Sequence, residues 1–303
     1  MAKFRTGHSR QDTKKSSGTV IKVGVFGAII SALFLLFNKF SGNIPSISTD
    51  ETEIETEQDQ PAVDYLPTSN TGAIVQHQYF TLSYSEEHEQ AEWVAHTLTK
   101  ENLNKDWLKR EDNFRPDNQV KTGSSTPNDY RGSGYDRGHL VPSADMAYSK
   151  EAMQETFLMS NISPQASNFN KGVWRELEEL TRNWAKKFDQ LYVVTGPVLT
   201  MDIKGTIGDN EVSVPAAYYK VLLDLTAPDY KGIAFVIPNE VTFEPLYKFA
   251  TSIDAVESLT GIDFFPKLME KELEAEIESS FNLDFWEFSK KKFEDRIEKW
   301  NNQ

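Results

Sequence analysis

The stretch from Gly134 to Trp184 constrains the fold most, because its pattern changes from strand to loop to helix within a short run. Asp136-Arg137-Gly138-His139 and the apolar step Leu140-Val141-Pro142 read as a strand leading into a loop. Beyond Asn170, the apolar residues Val173, Trp174, Leu177, Leu180 and Trp184 recur at three- and four-residue steps, which predicts an amphipathic helix whose stripe is core. At about 100° per residue, Asn170 borders that stripe and Glu178 lies about 80° further round, so one cleft at the helix rim can see both. Taken alone, Asn170 would pass for a helix N-cap and Glu178 for a solvated charge.

His139 stands beside two charged residues that can orient it and a glycine that lets the backbone approach closely, a setting suited to a proton-abstracting base. Hydrolysing a phosphodiester requires a water made nucleophilic, compensation for the charge on the phosphorane and a stabilised leaving alkoxide. A neutral imidazole meets the first need. A hard divalent cation that is held by oxygen ligands and keeps most of its waters meets the other two. One asparagine with a nearby carboxylate suits magnesium and suits zinc poorly, and the chain has no cysteine for a thiolate site.

The run SGYDRGHLVPSADM (Ser133 to Met146) is followed by FLMSNISPQASNFNKGVWRELEEL, LYVVTGPVL, VSVPAAYYKVLLDL and IAFVIPN. With these blocks in this order, residues 75 to 268 resemble the DNA/RNA non-specific endonuclease family. The resemblance implies a ββα-metal finger in which His139 is the general base and Asn170 the one direct protein ligand of magnesium, or of manganese in its place. It further implies that Glu178 holds the ion's water shell, that Asn161 is a second active-site asparagine, and that Arg110 stabilises charge on the phosphate. Arg115, five positions on, is the alternative to Arg110. Asp136 and Arg137 are expected to brace the finger and its phosphate side, or else to form an ordinary local ion pair.

The expected fold is α+β: a central, mainly antiparallel sheet with helices, carrying the ββα-metal finger. Candidate strands are Tyr79 to Ser83, Glu92 to Leu98, Leu191 to Thr195, Val212 to Leu225 and Ile233 to Pro238, punctuated by Gly196-Pro197 and Pro238-Asn239. His88, Glu92 and His96 fall at four-residue steps that can imitate a helical metal site. Trp93, Val94 and Thr97 favour a strand instead, where such steps lie about 13 Å apart, too far to share an ion. His8 lies in a basic tail and His77 in a connecting stretch, with no partners that sequence identifies.

The net charge of −14 opposes a nucleic-acid substrate, since affinity for the phosphate backbone is largely electrostatic. Its distribution softens the objection. Residues 41 to 70 hold seven acids and no Lys or Arg, whereas residues 101 to 190 hold 13 Lys and Arg against 14 acids. A bound divalent cation adds positive charge where the scissile phosphate must sit.

Residues 1–22 are a basic tail, and 23–40 read as a membrane anchor or signal segment. The apolar run Val23 to Phe37 would span about 22 Å as a helix, with Lys22 and Lys39 placed to snorkel. No clear small-x-small cleavage site follows it, which favours an anchor over a cleaved peptide. Residues 41–74 read as an acidic tether, 75–268 as the endonuclease domain and 269–303 as a helical tail that packs on the domain edge or binds a partner.

The expected activity is therefore metal-dependent cleavage of DNA and RNA without sequence specificity. The expected location is the outer side of an inner membrane, in the periplasm or outside the cell, with secretion if the segment is cleaved. The alternatives are a phosphodiesterase acting on small nucleotides and a catalytically idle nucleic-acid-binding envelope protein.

Overall fold

The computed structural model describes residues 64–302; the basic tail, the apolar segment at 23–40 and most of the acidic tether lie outside the described residues. Three strands come first, β1 (Ile74–Gln76), β2 (Thr81–Ser85) and β3 (Gln90–Thr99), followed by the short helix α1 (Lys100–Leu103). Next come β4 (Asp136–His139), α2 (Lys150–Glu155), β5 (Ile162–Gln165), α3 (Arg175–Phe188) and β6 (Gln190–Pro197). The small pair β7 (Thr206–Ile207) and β8 (Val212–Ser213) precedes the long strands β9 (Ala217–Asp224) and β10 (Lys231–Pro238). β11 (Ala250–Thr251), α4 (Ile253–Thr260), α5 (Lys271–Glu278) and α6 (Lys290–Glu298) complete the described chain.

The main sheet has seven strands in the order β1-β2-β3-β6-β9-β10-β11, antiparallel throughout, and β4 pairs with β5 in a separate ribbon. This is the α+β architecture expected from the strand pattern. Both faces of the sheet are covered, so its central strands are buried at nearly every position and show no polar alternation. On one face, Val94, Leu98, Val193, Tyr218, Leu222 and Phe235 meet the predicted stripe Val173, Trp174, Leu177, Leu180 and Trp184, all of it buried. On the other, Trp93, Val194, Tyr219 and Val221 meet Ile253 and Val256 of α4, together with Phe264, Phe265 and Ile277. The helix that follows the finger is thus fixed to the sheet by its apolar stripe, and the cleft is built at its amino-terminal end.

Two expectations need correction. Val212 to Leu225 is not one strand: β8 pairs with β7, and the chain breaks at Val214 to Ala216 before entering the main sheet as β9. Pro215 explains the break, having no N–H to give a ladder; Asn239 ties the gap instead, its Nδ2 donating to the Pro215 carbonyl at 3.0 Å. The second strand runs from Thr81 to Ser85 rather than from Tyr79.

The end of the expected tether is packed. Tyr65 lies against Tyr192, the Trp93 indole donates to the Thr68 carbonyl at 2.8 Å, and Glu92 accepts from Ser69 and Ser83. The carboxyl-terminal residues also lie on this body. Trp286 packs edge-on against Trp184, and the buried Arg296 reaches Glu176 of α3 at 2.6 Å while donating to the carbonyls of Thr242 and Glu244. Among the described residues, no helix is long and apolar enough to cross a membrane.

Candidate active site

The β4–β5 register places Asp136 opposite Gln165, Gly138 opposite Ser163 and His139 opposite Ile162. Alternation along β4 sends Arg137 and His139 to one side and Asp136 and Gly138 to the other. The His139 ring lies 5.4 Å from Phe114 and 5.0 Å from Phe157, the latter edge-on. Burial first, then the Arg110 guanidinium and lastly Arg137, push the His139 pKa down to about 3, with Asp112 opposing. The imidazole is therefore neutral at pH 7, the form a base requires. Its Nε2 is buried and has no hydrogen-bond partner among the described residues.

Gly138 has a steric reason. A Cβ built there would stand 2.2 Å from the Gln165 side chain, far inside contact distance, so only glycine lets that buried amide lie across β4. Neither polar atom of the Gln165 amide has a partner. The sequence reading missed this residue, although it sits in the quoted SNISPQ block.

Asn170 lies in an irregular turn, Phe169–Trp174, in which Gly172 departs from helical geometry. The angular estimate linking Asn170 to Glu178 on one regular helix therefore fails at Gly172. Asn170 is not an N-cap. Its backbone N–H bonds the Ala166 carbonyl at 2.9 Å, and its Nδ2 donates to Asp136 Oδ2 at 3.0 Å. That bond joins the helix side of the finger to β4 and leaves the amide oxygen, the end able to bind a metal, without a donor among the described residues. Asp136 and Arg137 do not pair with each other; Arg137 lies 4.1 Å over the Phe114 ring.

An open cleft of about 610 Å³ is lined by Arg110, Arg131, Arg137 and Lys171, with Asp112, Asp136, Asn170, Phe114, Tyr130 and Tyr135 among its other walls. Arg110 is held by Asp112 through Nε at 2.6 Å. Arg115 turns away, its guanidinium donating to the Gln154 carbonyl at 2.8 Å, so the cleft arginine of the two is Arg110. Arg131 and Lys171 were not singled out from sequence; neither carries a motif that marks it, and only the fold brings them to the cleft.

Asn161 lies behind this wall. Its Oδ1 accepts from the Val141 N–H at 2.9 Å, and its Nδ2 donates to the carbonyls of Val141 and Thr156 at 3.0 and 2.9 Å. The whole amide fastens the chain as it leaves His139. Glu178 also stands back from the cleft lining, half-buried on α3. Burial lifts its carboxyl to about 7, while Lys220 and Arg182 draw it down and Asp145 pushes it up. Asp145 itself bonds His96 at 3.2 Å and Arg182 at 2.8 Å, and Lys220 is buried over the Trp174 ring. A lone lysine inside the apolar run YYKVLLDL was the available signal for this charged layer.

The imitation metal pattern disperses. Glu92 serves the serines named above, His96 bonds Asp145 and His88 bonds Ser213. His77 is buried against Asp117 at 2.9 Å. A smaller cavity of about 320 Å³, between Phe188, Lys231 and Phe285, holds none of the predicted site residues.

The donor set in the cleft fits a hard, hydrated cation: one neutral amide oxygen, one carboxylate close by, and an open wall where waters remain. Asn170 would hold magnesium there, and Asp136 orients its amide.

The DNA/RNA non-specific endonuclease profile matches residues 62–271. Human mitochondrial endonuclease G is 34% identical over 203 residues, covering 63% of this chain and 68% of that one. Zebrafish (Danio rerio) mitochondrial nuclease EXOG is 37% identical over 225 residues, covering 69% of this chain and 66% of that one. The chain thus spans about two thirds of the length of both relatives. Among solved structures, that of an EndoG/EndoGI complex, whose subject is inhibition of EndoG, superposes with a TM-score of 0.61 at 30% identity over 66% of this chain and 87% of that one. The antiparallel sheet, the finger and the matched span agree, and this chain belongs to the DNA/RNA non-specific endonuclease family, a family of nucleases.

Proposed function

We propose that this protein is a magnesium-dependent endonuclease that cuts DNA and RNA without sequence preference, with His139 as general base and Asn170 as the metal-binding side chain. One observation carries the reading: a buried, neutral imidazole packs against Phe114, a wall of the cleft whose rim is cationic and whose Asn170 amide is oriented by Asp136.

The phosphodiester enters between Arg110, Arg131, Arg137 and Lys171, which hold it through charge rather than through base edges. His139 accepts a proton from water as that water's oxygen bonds phosphorus. The P–O3′ bond breaks, leaving a 5′-phosphate and, after protonation, a 3′-hydroxyl. Bound magnesium would supply charge compensation at the phosphate and at the leaving oxygen. An entering phosphate offsets the two arginines that depress the imidazole, so substrate itself raises the basicity of His139. Asn161 keeps the exit of β4 fixed, and Glu178, backed by Lys220 and Arg182, fits a role in ordering water around the ion rather than in binding it.

The acidic balance of the whole chain favours a second reading, a phosphodiesterase acting on small nucleotides. Comparing hydrolysis of a dinucleotide with that of a long duplex separates the two, and the cationic rim predicts faster cleavage of the duplex. Purified protein should nick supercoiled plasmid with magnesium and stop with chelator; undiminished nicking by His139→Ala protein would sink the mechanism. The basic and then apolar amino terminus supports an inner-membrane anchor with the catalytic domain outside the cytoplasm, which alkaline extraction of membranes tests.

A further inference from the structure

On the sheet face opposite the cleft helix, Asp254 and Glu257 stand one turn apart on α4, and Glu278 ends α5, which packs alongside through Ile277. One ligand oxygen from each lies within 4.8 Å of the others. Asp254 has another use as an acid in the first turn of a helix, and Glu257 accepts the Phe264 N–H at 2.8 Å. Glu278 has none. It is only 4% exposed, and its Oε1 has no hydrogen-bond partner among the described residues.

The charges acting on Glu278 are all negative: Glu257, Glu274, Asp263 and Asp254. Among the described residues no Lys or Arg pairs with any of the three cluster acids. A buried carboxylate in such company must gain a proton or a cation, because an unpaired charge is strongly disfavoured away from water. We infer that Asp254, Glu257 and Glu278 form a binding site for a hard divalent cation of calcium's size, separate from the catalytic cleft.

The donor set suits that ion: three carboxylates close enough to share one cation, one of them exposed, form an irregular set, which calcium accepts and completes with water, whereas magnesium demands near-octahedral geometry. The carboxyl end of α5 adds the negative end of its peptide dipoles. A bound ion would fasten α5 to α4. It would thereby anchor the start of the carboxyl-terminal segment, which continues to Arg296 and its pairing with Glu176 on the cleft helix.

The test uses full-length protein carrying Asn170→Ala, so that binding in the cleft does not obscure the second site. After chelation and dialysis it is titrated with calcium chloride, followed by calorimetry and by thermal unfolding. About one calcium should bind per chain and raise Tm on the order of 5 °C at a hundredfold excess over Kd. Glu278→Gln and the exposed Asp254→Asn, each added to that protein, should weaken binding at least tenfold; if the buried substitution prevents folding, Asp254→Asn decides. No rise in Tm up to about 10 mM calcium, where weak extracellular-type sites are filled, or unchanged affinity in Asp254→Asn, would overturn the site and leave Glu278 as a protonated acid.

Discussion

The β4–β5 ribbon beside the cleft and the far face of the central sheet each bury an ionisable side chain without a hydrogen-bond partner at a key atom, and the fold treats them oppositely. On the cleft side, His139 lies near Arg110 and Arg137, and its pKa is driven down to about 3. On the far side, Glu278 lies among four carboxylates and is driven up to about 9. Burial alone favours the neutral form in both cases; the neighbouring charges then reinforce it, with cations beside the base and anions beside the acid. A chain of net charge −14 can therefore present a cationic cleft, because its acids are gathered elsewhere. Net charge limits how strongly the whole molecule attracts a polyanion, while the local field decides where a phosphate can rest.

The largest expected effect tests the cleft half of this contrast. His139→Ala should lower plasmid nicking by about 10²–10⁴-fold, the usual worth of a general base, at little cost to substrate binding. A loss below tenfold would remove His139 from the chemistry. Next, Asp136→Ala frees the Asn170 amide to rotate and should raise the magnesium concentration for half-maximal activity about 10–100-fold, as loss of a ligand's orienting partner does. A fall in rate that saturating magnesium does not recover would assign Asp136 another role.

The pH dependence of stability sharpens the contrast, because the two groups act with opposite signs. His139 titrates near 6.5 when unfolded and about 3 when folded, so the unfolded chain binds more protons in that window. Its contribution is complete above pH 6.5 and is lost as pH falls towards 3. Glu278 titrates near 4.5 when unfolded and about 9 when folded, so in calcium-free buffer its contribution is complete below pH 4.5 and is lost as pH rises towards 9. Urea unfolding across pH should show His139→Gln flattening the acid limb and Glu278→Gln flattening the alkaline limb. Calcium should protect the alkaline limb where Glu278 is intact, in the wild-type and His139→Gln proteins, and not in Glu278→Gln. The smallest effect belongs to a single rim cation: Arg131→Ala should weaken duplex binding evenly across sequences and reduce the log–log salt slope by about 1.

Parts of the site were readable because their signals are local. The stripe Val173 to Trp184, the strand at Asp136 to His139 and the buried histidine at its end all appear where periodicity and motif placed them. Asn170 was found by resemblance, but its geometry was misread, since the 100° rule assumes a regular helix and Gly172 interrupts it. Gln165, Arg131, Lys171 and Lys220 went unmarked. Each acts through a neighbour far along the chain: Gln165 fills the space over Gly138, and Lys220 balances Glu178 from another strand. That Arg110 and not Arg115 lines the cleft was likewise a matter of distant neighbours, the Gln154 carbonyl holding Arg115 away.

The sequence by itself determined most of the elements, the α+β class and the apolar stripe that packs on the sheet, because side-chain period and backbone preference are properties of neighbouring residues. Only the tertiary structure decided the charge states, the cationic rim and the meeting of Asp254, Glu257 and Glu278. Burial and Coulomb fields depend on which distant segments come within a few ångströms, and that distance exists only once the chain has folded.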